Sequence, residues 1–227
     1  MGSGIADWLS ALGQMLLFVA AAALLAGWVK RVRCHLQNRA APSLFQPYRD
    51  LAKLFRKDLV IAQRASWVFR ATPYIVFGTT LLIVSVVPLV ALDLPTAAIA
   101  DVIVLAGLLG LARFFLALAG LDIGTAFGGM GSSREMMIGA LAEPVLLMAV
   151  FTLAMSAATT NLSEAIYYTL NSGLVLRPSF LFAALGLWLV AVAETGRVPV
   201  DNPATHLELT MVHEAMILEY SGRHLAL

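Results

Sequence analysis

Long apolar stretches separated by polar segments dominate this chain of 227 residues. Because a helix needs about 20 mostly apolar residues to cross the hydrocarbon core of a bilayer, the pattern predicts an all-α, polytopic transmembrane protein with about five spans. We expect these spans to form a single integral membrane domain, 1–227. The last span is roughly 16 residues long and requires a locally thinned bilayer. The predicted spans are about 9–29, 73–92, 97–120, 136–158 and 179–194.

Two other segments have helical spacing but are too polar to be spans. Segment 44–60 carries apolar side chains on one face and basic side chains elsewhere, as in an amphipathic helix at a membrane surface. Two interpretations stay open: a plain interfacial anchor, or a helix that docks a partner or borders a lipid-soluble ligand. Segment 204–220, which follows a break between Pro199 and Pro203, predicts another helix. The apolar face of the first segment consists of Leu44, Tyr48, Leu51, Phe55 and Leu59.

Positive charge is concentrated in the first polar loop. Ten of the fifteen Lys and Arg residues lie between Lys30 and Thr72. Since cytoplasmic loops carry an excess of Lys and Arg, this loop is predicted to be cytoplasmic and the N-terminus to lie outside. Alternation of the spans then places loop 121–135 and all residues after Glu194 in the cytoplasm. We therefore expect both helices of the preceding paragraph to be cytoplasmic.

The amino-acid composition narrows the class of protein and the kinds of site it can carry. The chain is 60% hydrophobic and 13% charged, which excludes an ordinary soluble domain. A single cysteine, Cys34, excludes an internal disulfide and any all-cysteine iron–sulfur or zinc site within the chain. The sequence contains no phosphate-binding loop, dinucleotide fingerprint or nucleophile elbow. We predict neither catalytic residues nor a metal site in this chain.

The segment DIGTAFGGMGSSREMM (122–137) is rich in small residues. Its glycines are typical of tight turns. Ser132 followed by Glu135 fits a capping box at the start of the fourth span. The pattern predicts a flexible loop that ends in a well-capped helix.

Two charges lie inside predicted spans at matching depths. Arg113 is roughly 10 Å and Glu143 roughly 12 Å from the cytoplasmic ends of their spans, at helical rise. Because either charge alone is unfavourable in lipid, we expect them to form an ion pair or to share a water-filled cavity. Pro144 frees the carbonyl of Ala140, which gives a water a place beside the carboxylate. A proton path and a structural pair both remain open.

Acidic residues accumulate in the run 193–222, directly after the fifth span. Glu194 either pairs locally with Arg197 or opens a hydrated path into the membrane. A zinc helix is disfavoured, because His206 and His213 are seven residues apart rather than four. The acids of this run are Glu194, Asp201, Glu208, Glu214 and Glu219.

Three motifs in this sequence resemble a known family. They are QPYRDLAKLFRKD (46–58), GSSREMMIGALAEP (131–144) and AETGRVPVDNPATHLELTMVHEAMILEYSG (193–222). They resemble the membrane subunit 1 family of respiratory NADH:quinone oxidoreductase, and more closely its branch in the membrane-bound group 4 NiFe hydrogenases, such as the formate hydrogenlyase complex. Gly196 and Val200 stand where the quinone-enzyme branch usually has Asn and Phe. Family members usually continue with further spans, so the chain is expected to be short at its C-terminus.

The resemblance implies a non-catalytic integral membrane subunit of a hydrogenase or complex I-like oxidoreductase assembly, in a bacterial or archaeal cytoplasmic (inner) membrane. Such a subunit anchors the peripheral electron-transfer arm and contributes to proton translocation. The implied protein partners are a hydrogenase-like large subunit, a small iron–sulfur subunit and antiporter-like membrane subunits. The Ni–Fe centre and iron–sulfur clusters are expected in those partners, with no cofactor bound by this chain. Membrane lipid is a further expected partner, and nucleic acid is not.

The resemblance also assigns candidate residues. Acids in the fourth span and in the tail become candidates for a proton path, with two arginines that tune it. Side chains in the loop motifs become candidates for contact with the peripheral arm. The proton-path candidates are Glu143, Glu194, Asp201, Glu208, Glu214, Glu219, Arg113 and Arg197. The peripheral-arm candidates are Gln46, Arg49, Asp50, Lys53 and Arg134.

A different class of function remains possible from the residues alone. An independent small membrane transporter or channel would use Arg113 and Glu143 as its polar site. Neighbouring genes for hydrogenase subunits would favour the redox assembly, and an isolated gene would favour the transporter.

Overall fold

A computed structural model describes residues 5–88, 95–171, 178–196, 200–201 and 212–227. Within these ranges the regular structure is helical, apart from an isolated bridge between Asp101 and Asn161. The helices are α1 (Ile5–Leu36), α2 (Gln46–Arg56), α3 (Trp67–Val86), α4 (Val102–Asp122), α5 (Ala126–Ala157), α6 (Leu162–Asn171), α7 (Pro178–Glu194), α8 (His213–Ile217) and α9 (Gly222–Ala226), with a 3-10 turn at Ala97–Ile99.

Four of these helices, α1, α3, α4 and α5, are long and apolar enough to cross a membrane. Helix α7 is equally apolar but has 17 residues, and therefore extends only about 25 Å at helical rise. The predicted class, a polytopic helical membrane protein, is confirmed. Helix α5, with 32 residues, extends about 48 Å and is longer than the hydrocarbon core of a bilayer.

The helix starts depend on side chains that satisfy free backbone N–H groups. Ser66 accepts the N–H of Val68 at 3.1 Å and begins α3 six residues before the expected span. Asp101 accepts the N–H of Ile103 at 2.7 Å and begins α4. A hydropathy pattern locates the apolar centre of a span, whereas these caps determine its first residue.

The region expected to be a flexible loop up to residue 135 is mostly helix. Thr125 accepts the N–H of Gly128 at 3.2 Å, and α5 begins at Ala126. The predicted capping box is therefore wrong. Ser132 lies inside α5 and donates its hydroxyl to the carbonyl of Ala117 on α4 at 2.8 Å, and Glu135 is buried. Gly128 and Ser132 lie on the face of α5 that packs closely on α4, where small side chains let the two backbones approach.

Other boundaries also differ from the expected ones. Helix α2 covers Gln46–Arg56 rather than 44–60, and the region 159–178 contains α6. Of the expected helix 204–220, residues 204–211 lie outside the described residues. The described part is helical only over His213–Ile217, because Ser221 adopts an extended backbone and bonds to Val60 instead.

The spans pack as neighbours in chain order. Helix α4 packs between α3 and α5, α5 packs on α7, and α1 packs on α3. Gln14 on α1 donates to the carbonyls of Val84 and Val87 at 2.9 and 2.8 Å, and so satisfies the end of α3. At the same end, Thr160 after α5 donates to Asp101 before α4 at 2.7 Å. This hydrogen bond lowers the pKa of Asp101.

The C-terminal segment 212–227 folds back onto the opposite end of the bundle, which we call the basic end because it carries the 30–72 connection. The ring of Tyr220 stacks on Phe69 of α3 with centroids 4.0 Å apart, and its hydroxyl donates to the Phe69 carbonyl at 2.9 Å. Ser221 donates to the Val60 carbonyl at 2.8 Å and accepts the Val60 N–H at 3.0 Å. The last motif of the sequence therefore joins the basic loop to α3.

Replacement of Tyr220 by Phe keeps the ring stack and removes one buried hydrogen bond. We expect a loss of about 1 kcal/mol of stability near neutral pH. Burial raises the pKa of Tyr220 from 10.0 to about 12. The Tyr220 hydroxyl therefore stabilises the wild type below pH 10. This stabilisation is lost as the pH rises towards 12, because the tyrosine of the unfolded chain ionises at a lower pH than that of the folded chain. Thermal unfolding in detergent at both ends of this pH window measures the effect.

The matched control is Tyr168→Phe, an exposed tyrosine on α6, which is expected to change nothing at either pH. A difference between wild type and Tyr220→Phe that stays constant across the pH window would contradict this role of the hydroxyl.

Candidate functional site

A buried guanidinium lies at the centre of the bundle. The side chain of Arg113 on α4 is only 8% exposed and contacts three carboxylates from two other helices. Its Nε lies 3.1 Å from Oε1 of Glu135, its Nη1 donates to Oε1 of Glu143 at 3.4 Å, and its Nη2 contacts the carboxylate of Glu194 at the end of α7. We call Arg113, Glu135, Glu143 and Glu194 the arginine cluster.

The geometry within the cluster is uneven. Although Nε of Arg113 is at ion-pair distance from Glu135, it makes no hydrogen bond to any part of the chain that the structure describes. The N–H is therefore not directed at the Glu135 oxygen, and attraction between the charges holds the pair. In a water-poor interior that attraction is stronger than in water.

A glycine makes room for the guanidinium. Glu135, Gly139 and Glu143 are four residues apart on α5, so they follow one side of the helix. A Cβ atom placed on Gly139 would lie 2.6 Å from Nη1 and 3.0 Å from Cδ of Arg113. Because only hydrogen occupies that position, the arginine lies across the helix backbone between the two acids.

The three carboxylates differ in exposure. The Glu135 side chain is 5% exposed, that of Glu194 30% and that of Glu143 49%. Glu143 and Arg113 border a cavity of about 360 Å³ that is also lined by Gly110, Phe114, Met136 and Ala140. The cluster thus extends from a closed interior, at Glu135, to an open cavity between α4 and α5, at Glu143.

Further titratable groups continue from Glu135 towards the basic end. Nε2 of His213 on α8 lies 3.6 Å from Oε2 of Glu135. Asp201 is buried, and its Oδ2 accepts the N–H of Val212 at 3.0 Å. Its Oδ1 has no hydrogen-bond partner within the described ranges. These groups form a row from the tail of the chain to the arginine cluster.

The expected pair of Arg113 and Glu143 is present, and Glu194 joins it. Glu214 and Glu219 are exposed, and among the described residues neither is ion-paired with Arg113. Arg197 and Glu208 lie outside the described residues. Asp201 belongs to the row that leads to the cluster.

Sequence reasoning missed Glu135 and the position of His213. The sequence pattern places Glu135 in a capping box at the start of the fourth span. The Glu–x3–Gly–x3–Glu spacing of residues 135–143 carries a different signal. On an apolar helix, a glycine with one acid a turn before it and another a turn after it leaves space for a large cation between the two acids.

The peripheral-arm candidates lie at the basic end. Gln46 donates to Asp50 at 2.9 Å along the surface of α2, and Arg49 and Lys53 are exposed. Arg134 is partly exposed and lies within α5 rather than in a loop. Tyr48 of α2 donates to the carbonyl of Ala20 and so fastens α2 to α1.

Comparison with known proteins gives consistent matches along the chain. The family model described as NADH dehydrogenase matches residues 9–227. Formate hydrogenlyase subunit 4 of Escherichia coli (strain K12) is 36% identical over 209 residues, which cover 92% of this chain and 67% of the relative. Hydrogenase-4 component C of the same organism is 35% identical over 217 residues, covering 96% and 68%. NADH-ubiquinone oxidoreductase chain 1 of Hyaloraphidium curvatum is 30% identical over 185 residues, covering 77% and 60%.

A solved structure has the same fold. A chain from the membrane-bound sulfane sulfur reductase, an archaeal respiratory membrane complex, superposes with a TM-score of 0.79 at 21% identity. The match covers 98% of this chain and 72% of that one. At this identity the likeness establishes the architecture of the helices.

Substitution of Gly139 tests the packing of the arginine cluster. In a helix, Gly→Ala normally stabilises by about 1 kcal/mol. Gly139→Ala is expected to destabilise instead, by about 1–3 kcal/mol, because the methyl group overlaps the held guanidinium. Gly129→Ala on the same helix, where a Cβ meets nothing within 4 Å, is the matched control and is expected to be neutral or stabilising. Thermal unfolding in detergent compares the two, and equal midpoints would contradict this role of Gly139.

Proposed function

The chain belongs to the NADH dehydrogenase family, in its subunit 1-like form, and we propose that it is the integral membrane subunit of a hydrogenase-like redox assembly. In that assembly it anchors the peripheral electron-transfer arm and contributes to proton translocation. Its relatives are membrane subunits of hydrogenase and complex I-like respiratory complexes. The observation that carries the proposal is a buried arginine surrounded by three carboxylates in a membrane bundle.

The charge balance of the arginine cluster supports a role in proton movement. One guanidinium compensates one carboxylate, whereas three carboxylates contact Arg113. Uncompensated charges are strongly disfavoured in a membrane interior. In this proposal the other carboxylates exchange protons as their surroundings change.

The unequal exposure of the acids supports a direction for the path. Protons would enter from the basic end through Asp201 and Glu194 and reach Glu143 at the open cavity. Glu143 faces away from the closed interior, with half of its side chain exposed. An exposed acid on a membrane-spanning helix fits contact with a neighbouring antiporter-like membrane subunit. Glu214, Glu219, Glu208 and Arg197 remain candidates for the entry of this path.

The orientation follows from charge placement. We place the basic end in the cytoplasm and the N-terminus outside, in a bacterial or archaeal inner membrane, since the basic connection 30–72 meets the C-terminal segment there. Exposed basic side chains of α2, together with Arg134, then face the peripheral arm. The large subunit and the small iron–sulfur subunit are the partners proposed for this surface.

We assign the redox centres to those partners. Cluster binding by cysteine normally takes four thiolates, and this chain has a single cysteine. The Ni–Fe centre and the iron–sulfur clusters would therefore be held by the peripheral subunits, and this chain would contribute charge and anchoring.

An independent transporter or channel is the second candidate. The cavity of about 360 Å³ beside Arg113 and Glu143 favours it, because a pocket between spans that contains two charged groups suits a small charged substrate. The redox assembly is preferred because the matches to hydrogenase subunits extend over more than nine tenths of the chain.

Replacing Glu143 with Gln tests the proton-path role. The amide keeps the shape of the side chain and cannot carry a proton, so we expect the assembled complex to move several-fold fewer protons per turnover, or to turn over more slowly. Hydrogen turnover and proton movement in sealed native vesicles give the two readouts. The control is Glu164→Gln on α6, an acid held by Thr159 at the other end of the bundle. Unchanged coupling in Glu143→Gln would count against the proton path.

Charge reversal on α2 tests the anchoring role. We expect Arg49→Glu with Lys53→Glu to reach the membrane but to recover much less of the large and iron–sulfur subunits in a gentle-detergent pull-down. The matched control, Lys30→Glu with Arg31→Glu, makes the same change in charge at exposed positions of α1. Recovery of the chain alone from wild-type membranes would favour the transporter.

A further inference from the structure

The imidazole of His213 lies beside the carboxylate of Glu135, and the Asp201 carboxylate lies near the same turn at Gly196. Its Nε2 is 3.6 Å from Oε2 of Glu135 on α5. Its other nitrogen, Nδ1, borders Gly196, and a Cβ atom placed on Gly196 would lie 2.9 Å from that nitrogen. The same Cβ atom would lie 3.6 Å from Oδ2 of Asp201. The ring therefore turns Nε2 towards Glu135, and its Nδ1 side shares the space beside Gly196 with Asp201.

Gly196 is required at this place for two reasons. Its φ of +54° lies in the left-handed region, where the chain turns directly after α7. The absence of a side chain also leaves the space that the His213 ring occupies. The turn that ends the last span and the position of the imidazole therefore depend on the same residue.

Water can reach the ring. The His213 side chain is 34% exposed and borders a second cavity, of about 290 Å³, together with Thr72, Tyr220 and His224. The remaining lining of this cavity is mostly apolar, so water reaches His213 from the exposed side of the ring. Burial lowers the pKa of His224, which favours its neutral form. Of the two imidazoles at this cavity, His213 is the one that lies 3.6 Å from a carboxylate, that of Glu135.

We propose that His213 relays protons between Asp201 and Glu135, and that Gly196 makes room for it. The inference rests on the proton-translocating function proposed above. It adds the residue that joins the tail of the chain to the arginine cluster. Among the described residues, the charged and titratable groups near the ring are Glu135 on α5, Arg113 on α4, Asp201, Glu194 at the end of α7, the neighbouring Glu214 on α8, and Tyr220 with His224 across the cavity.

Each transfer is a plain proton exchange. A proton leaves the Asp201 carboxyl and binds Nδ1, which forms an imidazolium. The proton on Nε2 then moves to Oε2 of Glu135, leaving a neutral ring protonated at Nδ1. Rotation of the ring, or exchange with cavity water, restores the starting tautomer, and no electron is transferred. At 3.6 Å the gap to Glu135 exceeds a hydrogen bond, and among the described residues Nδ1 makes no hydrogen bond or ion pair with Asp201. Small side-chain movements or bridging waters must therefore complete both contacts.

The test uses the complete assembly in sealed native vesicles, with proton movement per turnover measured from about pH 5 to 8, where an imidazole titrates. His213→Gln keeps a hydrogen-bonding side chain that does not titrate. We expect it to move several-fold fewer protons and to lose the pH dependence of the wild type in this window. Imidazole added to His213→Ala should restore part of the coupling. His35→Gln, an exposed histidine at the end of α1, is the control and should behave as wild type.

A wild-type pH profile in His213→Gln, or no rescue of His213→Ala by imidazole, would overturn the relay. Glu143→Gln is measured in parallel. If it lowers coupling while His213→Gln does not, the relay is wrong and the proposed function stands. If neither variant changes coupling, both are wrong.

A second variant covers the case in which His213→Gln does not assemble. Asp201→Asn keeps an oxygen that accepts the Val212 N–H and removes the proton carrier on the other side of the ring. The same loss of pH dependence is expected, and an unchanged profile would overturn the relay.

Discussion

A guanidinium buried among apolar helices must be compensated by nearby carboxylates, and in this protein that requirement ties three helices together. Arg113 comes from α4, Glu135 and Glu143 from α5, and Glu194 from the end of α7. Removing one member of a buried pair typically costs about 3–5 kcal/mol, because the remaining charge is left uncompensated. The register of α4, α5 and α7 therefore depends on this contact more than on the apolar surfaces, which lipid can also cover.

The same contact links packing to function. Small residues on α5 let it approach α4 closely enough for the arginine to reach both acids, and Gly139 leaves the space that the side chain occupies. The C-terminal segment then closes the basic end by stacking Tyr220 on Phe69, which brings His213 within reach of Glu135. Titratable groups from distant parts of the chain thus become neighbours within one end of a membrane bundle. A fixed row of such groups is what a proton path requires.

Much of this could be predicted from the sequence. Apolar length predicted the helical membrane class, and the equal depths of Arg113 and Glu143 predicted their pair, because charge in lipid needs a partner. The start of α5 could not be predicted in the same way. Glycines typical of turns are equally typical of close helix packing, and only the approach of α4 distinguishes the two. Glu135 was missed for that reason. The position of His213 depends on a long return of the chain, which local periodicity does not describe.

We propose that the carboxylates around Arg113 bind and release protons as the assembly works. Infrared difference spectroscopy of the assembly during turnover measures this directly, through the carbonyl stretch that a carboxyl group shows only when protonated. We expect a signal in this region that appears with turnover and that changes in Glu143→Gln and in Glu135→Gln, but not in Glu164→Gln. A turnover spectrum without a carboxyl signal, or one that both cluster variants leave unchanged, would contradict it and leave the arginine cluster a purely structural contact.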